Sequence, residues 1–180
     1  MQKIITVITF FISIVLTAQS QSAYFLTYPT LTPDGQTVIF SFEGDLWKAS
    51  VSNGQASRLT AMEGNETNPR VSPDGKWIAF TGRQYGNADV FIMPINGGEV
   101  KQITFHSGND EVDSWSWDSK HIYFTSTRYS RSSGYKVSLN GGTPERVFGD
   151  NYFQYDHNLV EHPTSGEIFF NDTWESSNQA

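Results

Sequence analysis

The chain has 180 residues, 37% of them hydrophobic and 14% aromatic, which suits a globular core and excludes a disordered or collagen-like chain. A formal net charge of -7 repels a phosphate backbone and an anionic membrane surface alike, so neither nucleic acid nor membrane is an expected partner. With no cysteine, the chain has no disulfide, thiolate nucleophile or cysteine-ligated zinc, and its stability must come from packing.

Met1-Gln2-Lys3 precedes an apolar run from Ile4 to Leu16, broken by Thr6, Thr9 and Ser13 and followed by the small-x-small pattern Ala18-Gln19-Ser20. This reads as a secretory signal peptide over residues 1–20, because the run falls short of the roughly 20 unbroken apolar residues that a bilayer span needs. The mature part, residues 21–180, is therefore expected in the periplasm or outside the cell, free of the membrane after cleavage.

Beyond the signal the sequence repeats. Thr32-Pro33-Asp34-Gly35 returns as Ser72-Pro73-Asp74-Gly75 and, weakened, as Ser116-Trp117-Asp118-Ser119, at offsets of 40 and 44 residues. After each comes a short strand-like run closed by an aromatic, Val38 to Phe40, Ile78 to Phe80 and Ile122 to Phe124. Asn53-Gly54, Asn96-Gly97-Gly98 and Asn140-Gly141-Gly142 recur in turn, each leading to a polar-then-apolar ending at Leu59, Ile103 and Val147.

Proline pre-sets the backbone for a turn, Asp bonds to nearby amides, and Gly accepts the positive φ at which the next strand starts. Asn-Gly is a strong signal for a tight hairpin. Between these turns, Leu46-Trp47 and Val90-Phe91-Ile92-Met93 are continuous rather than alternating apolar runs, the pattern of strands covered on both faces.

Each unit thus holds four strands and cannot bury both faces alone. Stacking units radially gives an all-β fold, a β-propeller of four-stranded blades. The expected blades are residues 28–61, 68–105 and 112–148, with a partial fourth over 155–180. About three and a half blades are present, where six or seven would need roughly 250 to 300 residues. The chain accordingly reads as a truncated propeller.

Candidate chemistry is sparse. His157, Glu161 and His162 approach an inverted zinc-protease motif, but three residues separate the first His from the Glu where the motif has two. Ser133 and Lys136 fit Ser-x-x-Lys but open a strand rather than a helix, and no Gly-x-Ser-x-Gly elbow or phosphate loop occurs. Asp110, Glu111 and Asp113 form an acidic cluster read as an inter-blade loop rather than a calcium site. Arg83 and Arg128, in similar places after Phe80 and Phe124, are the candidate ligand-binding residues, cations able to face the channel and engage a peptide carboxylate.

Trp47, Trp77, Trp115, Trp117 and Trp174 read as core and turn packing. The glycosylation sequons at Asn65 and Asn171 decide nothing. No catalytic residue, cofactor or metal site is assigned.

From residue 28 to about 148 these repeats resemble those shared by tricorn-type proteases, by TolB of the cell envelope and by prolyl oligopeptidase relatives. The opening unit, Tyr28 to Gly35 with Glu43-Gly44-Asp45-Leu46-Trp47 and Arg58-Leu59-Thr60, is most similar to the first blade of tricorn-type serine peptidases. Trp117 and Ser119 depart from the pattern, as does the missing Asp before Gly166.

The resemblance implies a propeller that gates or docks peptide or protein substrates, is not itself catalytic, needs no cofactor, and precedes PDZ and serine peptidase domains absent from this chain, with a homo-oligomer possible. A TolB-like, non-enzymatic interaction propeller is the alternative. It is disfavoured because TolB carries an α/β domain before its propeller, whereas about ten residues separate the cleavage pattern from the first repeat here. A prolyl oligopeptidase-type propeller is the other alternative, marked by a downstream Gly-x-Ser-x-Gly.

Overall fold

The computed structural model describes residues 26–129, 132–148 and 156–172. The expected signal peptide and Trp174 lie outside them. Every regular element among the described residues is a strand, arranged as three four-stranded antiparallel sheets and a two-stranded one.

The first sheet holds β1 (Thr27–Leu31), β2 (Thr37–Phe42), β3 (Asp45–Ser50) and β4 (Ala56–Arg58) in that order. The second runs β5 (Glu66–Val71), β6 (Trp77–Gly82), β7 (Asp89–Pro94), β8 (Lys101–Gln102). The third repeats the order with β9 (Asp110–Trp115), β10 (His121–Ser126), β11 (Ser133–Ser138) and β12 (Glu145–Arg146). The strands β13 (Asp156–Glu161) and β14 (Ile168–Asp172) form the fourth.

The turns explain why strands reverse where they do. In the first, the Thr32 hydroxyl donates to Asp34 Oδ1 at 2.6 Å and the Gln36 amide donates to the same oxygen at 3.0 Å. Ser72 with Asp74, and Ser116 with Asp118, rebuild this bond for bond, so the degenerate third turn keeps the geometry without its Pro and Gly. Ser119 takes the glycine position at φ 60°. Its hydroxyl accepts the Asp74 amide at 3.0 Å, stitching the third sheet to the second. The Ser116 hydroxyl and then the Lys120 amide hold the Asp118 carboxyl down at about 2.

The first strands of successive sheets, β1, β5, β9 and β13, touch one another in sequence, while the fourth strands are two or three residues long and lie at the outer edge. Sheets are thus blades radiating from a line of first strands. Each first strand also slips register once, with Pro29 and Pro69 in the first two slips, where a residue without an amide proton costs no ladder bond.

Two clusters fill the seams. Ile39 and Leu46 of the first blade meet Ile78, Phe80, Phe91 and Met93 of the second. On the opposite face Ala79, Val90 and Ile92 meet Val112, Trp115, Ile122 and Phe124 of the third. The second blade is therefore sandwiched, which is why Val90 to Met93 are all buried and their sequence does not alternate. Leu31, Val160 and Phe169 remain exposed on the two outermost blades. The stack is open, as expected of a partial propeller.

Candidate functional site

The loops joining second to third strands, and those joining one blade to the next, gather on one face. Beneath them each seam buries a pair of carboxylates. At the first seam Asp45 opens β3 and Glu66 opens β5; at the second Asp89 opens β7 and Asp110 opens β9. All four are buried, Glu66 and Asp110 completely.

A threonine holds an acid at each position, across the seam at the first and within the second blade at the second. The Thr60 hydroxyl accepts the Leu46 amide at 2.8 Å and donates to Glu66 Oε2 at 2.9 Å. Thr104 likewise accepts the Val90 amide at 2.9 Å and donates to Asp89 Oδ1 at 3.3 Å.

The charge bookkeeping differs between seams. Arg58 pairs with Asp45 at 2.6 Å, leaving Glu66, among the described residues, the neutral Gln84 amide at 2.6 Å and Thr60. Burial pushes the Glu66 carboxyl up to about 7, against the Thr60 hydrogen bond and with Asp45 adding to the rise. At the second seam Arg128 pairs with Asp110 at 2.8 Å, and Asp89 receives, among the described residues, Thr104, Asn87 and Gln102. Burial first, and then Asp110, push Asp89 up to about 6.

The two arginines singled out by sequence turn out not to be equivalent. Strand register aligns Gly82 with Ser126, since these face Glu66 and Asp110 respectively, so the counterpart of Arg128 is Gln84 and not Arg83. Arg128 is largely enclosed. Its side chain is 11% exposed, accepted by Asp110, and its guanidinium lies 4.6 Å from the Tyr135 ring centroid, so it is committed within the fold. Arg83 is half-exposed and pairs with Glu111 at 3.0 Å.

The acidic cluster is not a loop. Asp110, Glu111 and Asp113 all lie on β9 and disperse: Asp110 to Arg128 and Ser126, Glu111 to Arg83, Asp113 to the Thr125 hydroxyl and the Asn158 amide. Ser133 and Lys136 lie on β11, bound to Arg146 and Glu145. His162 accepts the Thr164 and Ser165 amides in its own turn, and the side chain of His157 lies outside the described residues.

Above the second seam the loop face opens into a cleft of about 440 Å³, walled by Tyr85 and Phe105 with Asn87, Asp89, Gln102 and His106 around it. Sequence reading missed both the seams and this cleft. A signal existed: Asp45 and Asp89, Thr60 and Thr104, Glu66 and Asp110, Gln84 and Arg128 all recur at the 44-residue spacing.

An open stack of four-stranded meanders joined at such seams defines a β-propeller. The match to the model of the tricorn protease N-terminal β-propeller domain over residues 23–174 shows that the chain belongs to that family.

Among curated proteins, it is 34% identical over 77 residues to tricorn protease homolog 1 of Streptomyces coelicolor, covering 43% of this chain and 7% of that one. It is 35% identical over 68 residues to a protein of Sulfurisphaera tokodaii described as a tricorn-like protease N-terminal subunit, covering 34% of this chain and 35% of that one. The matched segments span a minor part of both relatives.

Solved structures support the fold. TolB from Acinetobacter baumannii superposes with a TM-score of 0.64 at 21% identity, over 82% of this chain and 43% of that one. A chain of the nidogen/laminin complex gives 0.68 at 11%, over 82% and 56%. A puromycin-hydrolyzing peptidase of Mycobacterium tuberculosis gives 0.61 at 17%, over 70% and 22%.

Proposed function

We propose that this chain is the N-terminal propeller segment of an exported, tricorn-like serine peptidase, where it docks or gates peptide substrates and leaves the chemistry to later domains. The observation that carries the reading is the family match across residues 23–174, to a domain named as the N-terminal part of a protease. The loop-face cleft supports a docking role, because it presents Tyr85, Phe105 and polar groups to solvent, while His106 and Ser107, which also line it, share no hydrogen bond among the described residues and His106 Nδ1 accepts the Gly108 amide. Export rests on the apolar run after Lys3 and the pattern at Ala18-Gln19-Ser20.

A fluorophosphonate probe tests the division of labour. The full-length gene product should be labelled on serine and should hydrolyse an unstructured peptide, while residues 21–180 alone should do neither. A full-length product that resists the probe and cleaves nothing overturns the reading. N-terminal sequencing of the protein recovered from the cell envelope tests cleavage after the small-x-small pattern.

A further inference from the structure

We propose that the cleft between Tyr85 and Phe105 binds a basic side chain, an arginine or a lysine, of a peptide lying across the loop face. This deepens the reading of the chain as a peptide-docking propeller and rests on it.

Four observations converge. Tyr85 and Phe105 both line the cleft and are 73% and 77% exposed, an unusual degree for two large aromatic rings, the Tyr85 ring stacking at one side on Phe91 at 6.4 Å. Asp89 also lines the cleft, and its bonds among the described residues come from neutral donors: the Thr104 hydroxyl, and the amides of Asn87 and Gln102, both at 3.2 Å. Among the described residues no lysine, arginine or histidine forms an ion pair with it. Because Arg128 offsets Asp110, the two acids of this seam leave one negative charge uncompensated beneath the aromatic walls.

The third observation is that the chain already holds a guanidinium in this way. Arg128 sits 4.6 Å from the Tyr135 ring and 2.8 Å from Asp110, a ring and a carboxylate cradling one cation. Finally, the cleft is preformed. The Asn87 side-chain amide donates to the His106 and Gly108 carbonyls at 2.8 and 3.1 Å, pinning the loop that carries Phe105.

The chemistry selects against other occupants. An anion meets the Asp89 charge and the chain's net charge of -7. A hard metal ion wants six or more oxygens and keeps its water, whereas both Asp89 oxygens already accept hydrogen bonds and the walls are aromatic. A large, weakly hydrated guanidinium, or an ammonium on an aliphatic stem, suits both the walls and the charge.

The test uses the full-length protein and a dye-labelled, end-blocked pentapeptide of glycine around a central arginine, against a counterpart with citrulline, which keeps the shape and loses the charge. Fluorescence anisotropy should show the arginine peptide binding about tenfold tighter, with the advantage shrinking as salt is raised. Asp89→Asn should abolish the difference. Tyr85→Ala and Phe105→Ala, both at exposed positions that leave folding intact, should each weaken the arginine peptide by about three- to tenfold.

Equal binding of the two peptides, or an arginine preference untouched by both aromatic variants, overturns the proposal. Hydrolysis of a neutral peptide in the same samples separates it from the peptidase reading. Hydrolysis with no arginine preference sinks the cleft assignment alone, and arginine preference without hydrolysis supports the cleft while sinking the peptidase.

Discussion

Glu66 is fully buried at the first seam and its carboxyl is pushed from 4.5 up to about 7. Between those values the folded chain holds a proton that the unfolded chain has released. Stability therefore falls as pH rises through this window and levels off above it, the reverse of a salt-bridged carboxylate. At about 1.4 kcal/mol per pH unit, the ionised form costs about 3 kcal/mol at pH 8.

Glu66→Gln removes that cost while keeping the shape. Gln84 can rotate its amide to meet the new side chain, since its Oε1 is a buried acceptor with no partner among the described residues. The variant should match the wild type near pH 4.5 and exceed it at pH 8 by up to about 3 kcal/mol, or about 6 to 12 °C in Tm. Thermal melts of both proteins across this range isolate Glu66, because every other group is common to the two. A wild type minus variant difference that is flat with pH, or a variant less stable at pH 8, refutes the reasoning.

Three further outcomes follow from the same geometry. Arg128→Leu strands Asp110 without its cation and should cost about 3 to 5 kcal/mol in urea denaturation, whereas Arg83→Ala, which breaks an exposed pair, should cost under about 1 kcal/mol. Gly108→Ala drives a methyl group to 2.8 Å from the Arg128 backbone nitrogen, where no side chain can yield, and should lower stability by about 1 to 3 kcal/mol. Asp89, held up at about 6, should give Asp89→Asn the same sign of pH effect as Glu66→Gln, read from the same melts over a window that closes about one unit lower.

The blade repeat was legible because turns are local chemistry. Thr32, Ser72 and Ser116 each receive help from an Asp two residues on, and that pairing survives in the sequence even where Trp117 and Ser119 replace Pro and Gly. The apolar run from Val90 to Met93 announced burial on two faces, and the two core clusters lie there.

The site was hidden for the opposite reason. Its residues come from strands and loops far apart in the chain, so partnership depends on strand register, and a count from Phe80 and Phe124 that slips by one position pairs Arg83 with Arg128 where the structure pairs Gln84 with it. Buried acids are also hard to expect from composition, because the hydrogen bonds that make Glu66 and Asp89 tolerable come from Thr60, which closes the preceding unit, and Thr104, at the far end of the same unit.

Tandem units of such similar build run a risk during folding, since a strand hairpin can dock against the wrong sibling. The unlike partners at successive seams, Gln84 reaching Glu66 but Arg128 reaching Asp110, act as keyed fittings. Exchanging the two hairpins would leave the fully buried Asp110 facing a neutral amide in place of its cation, so that misplaced pairing forfeits the third unit's best contact and is released to try again.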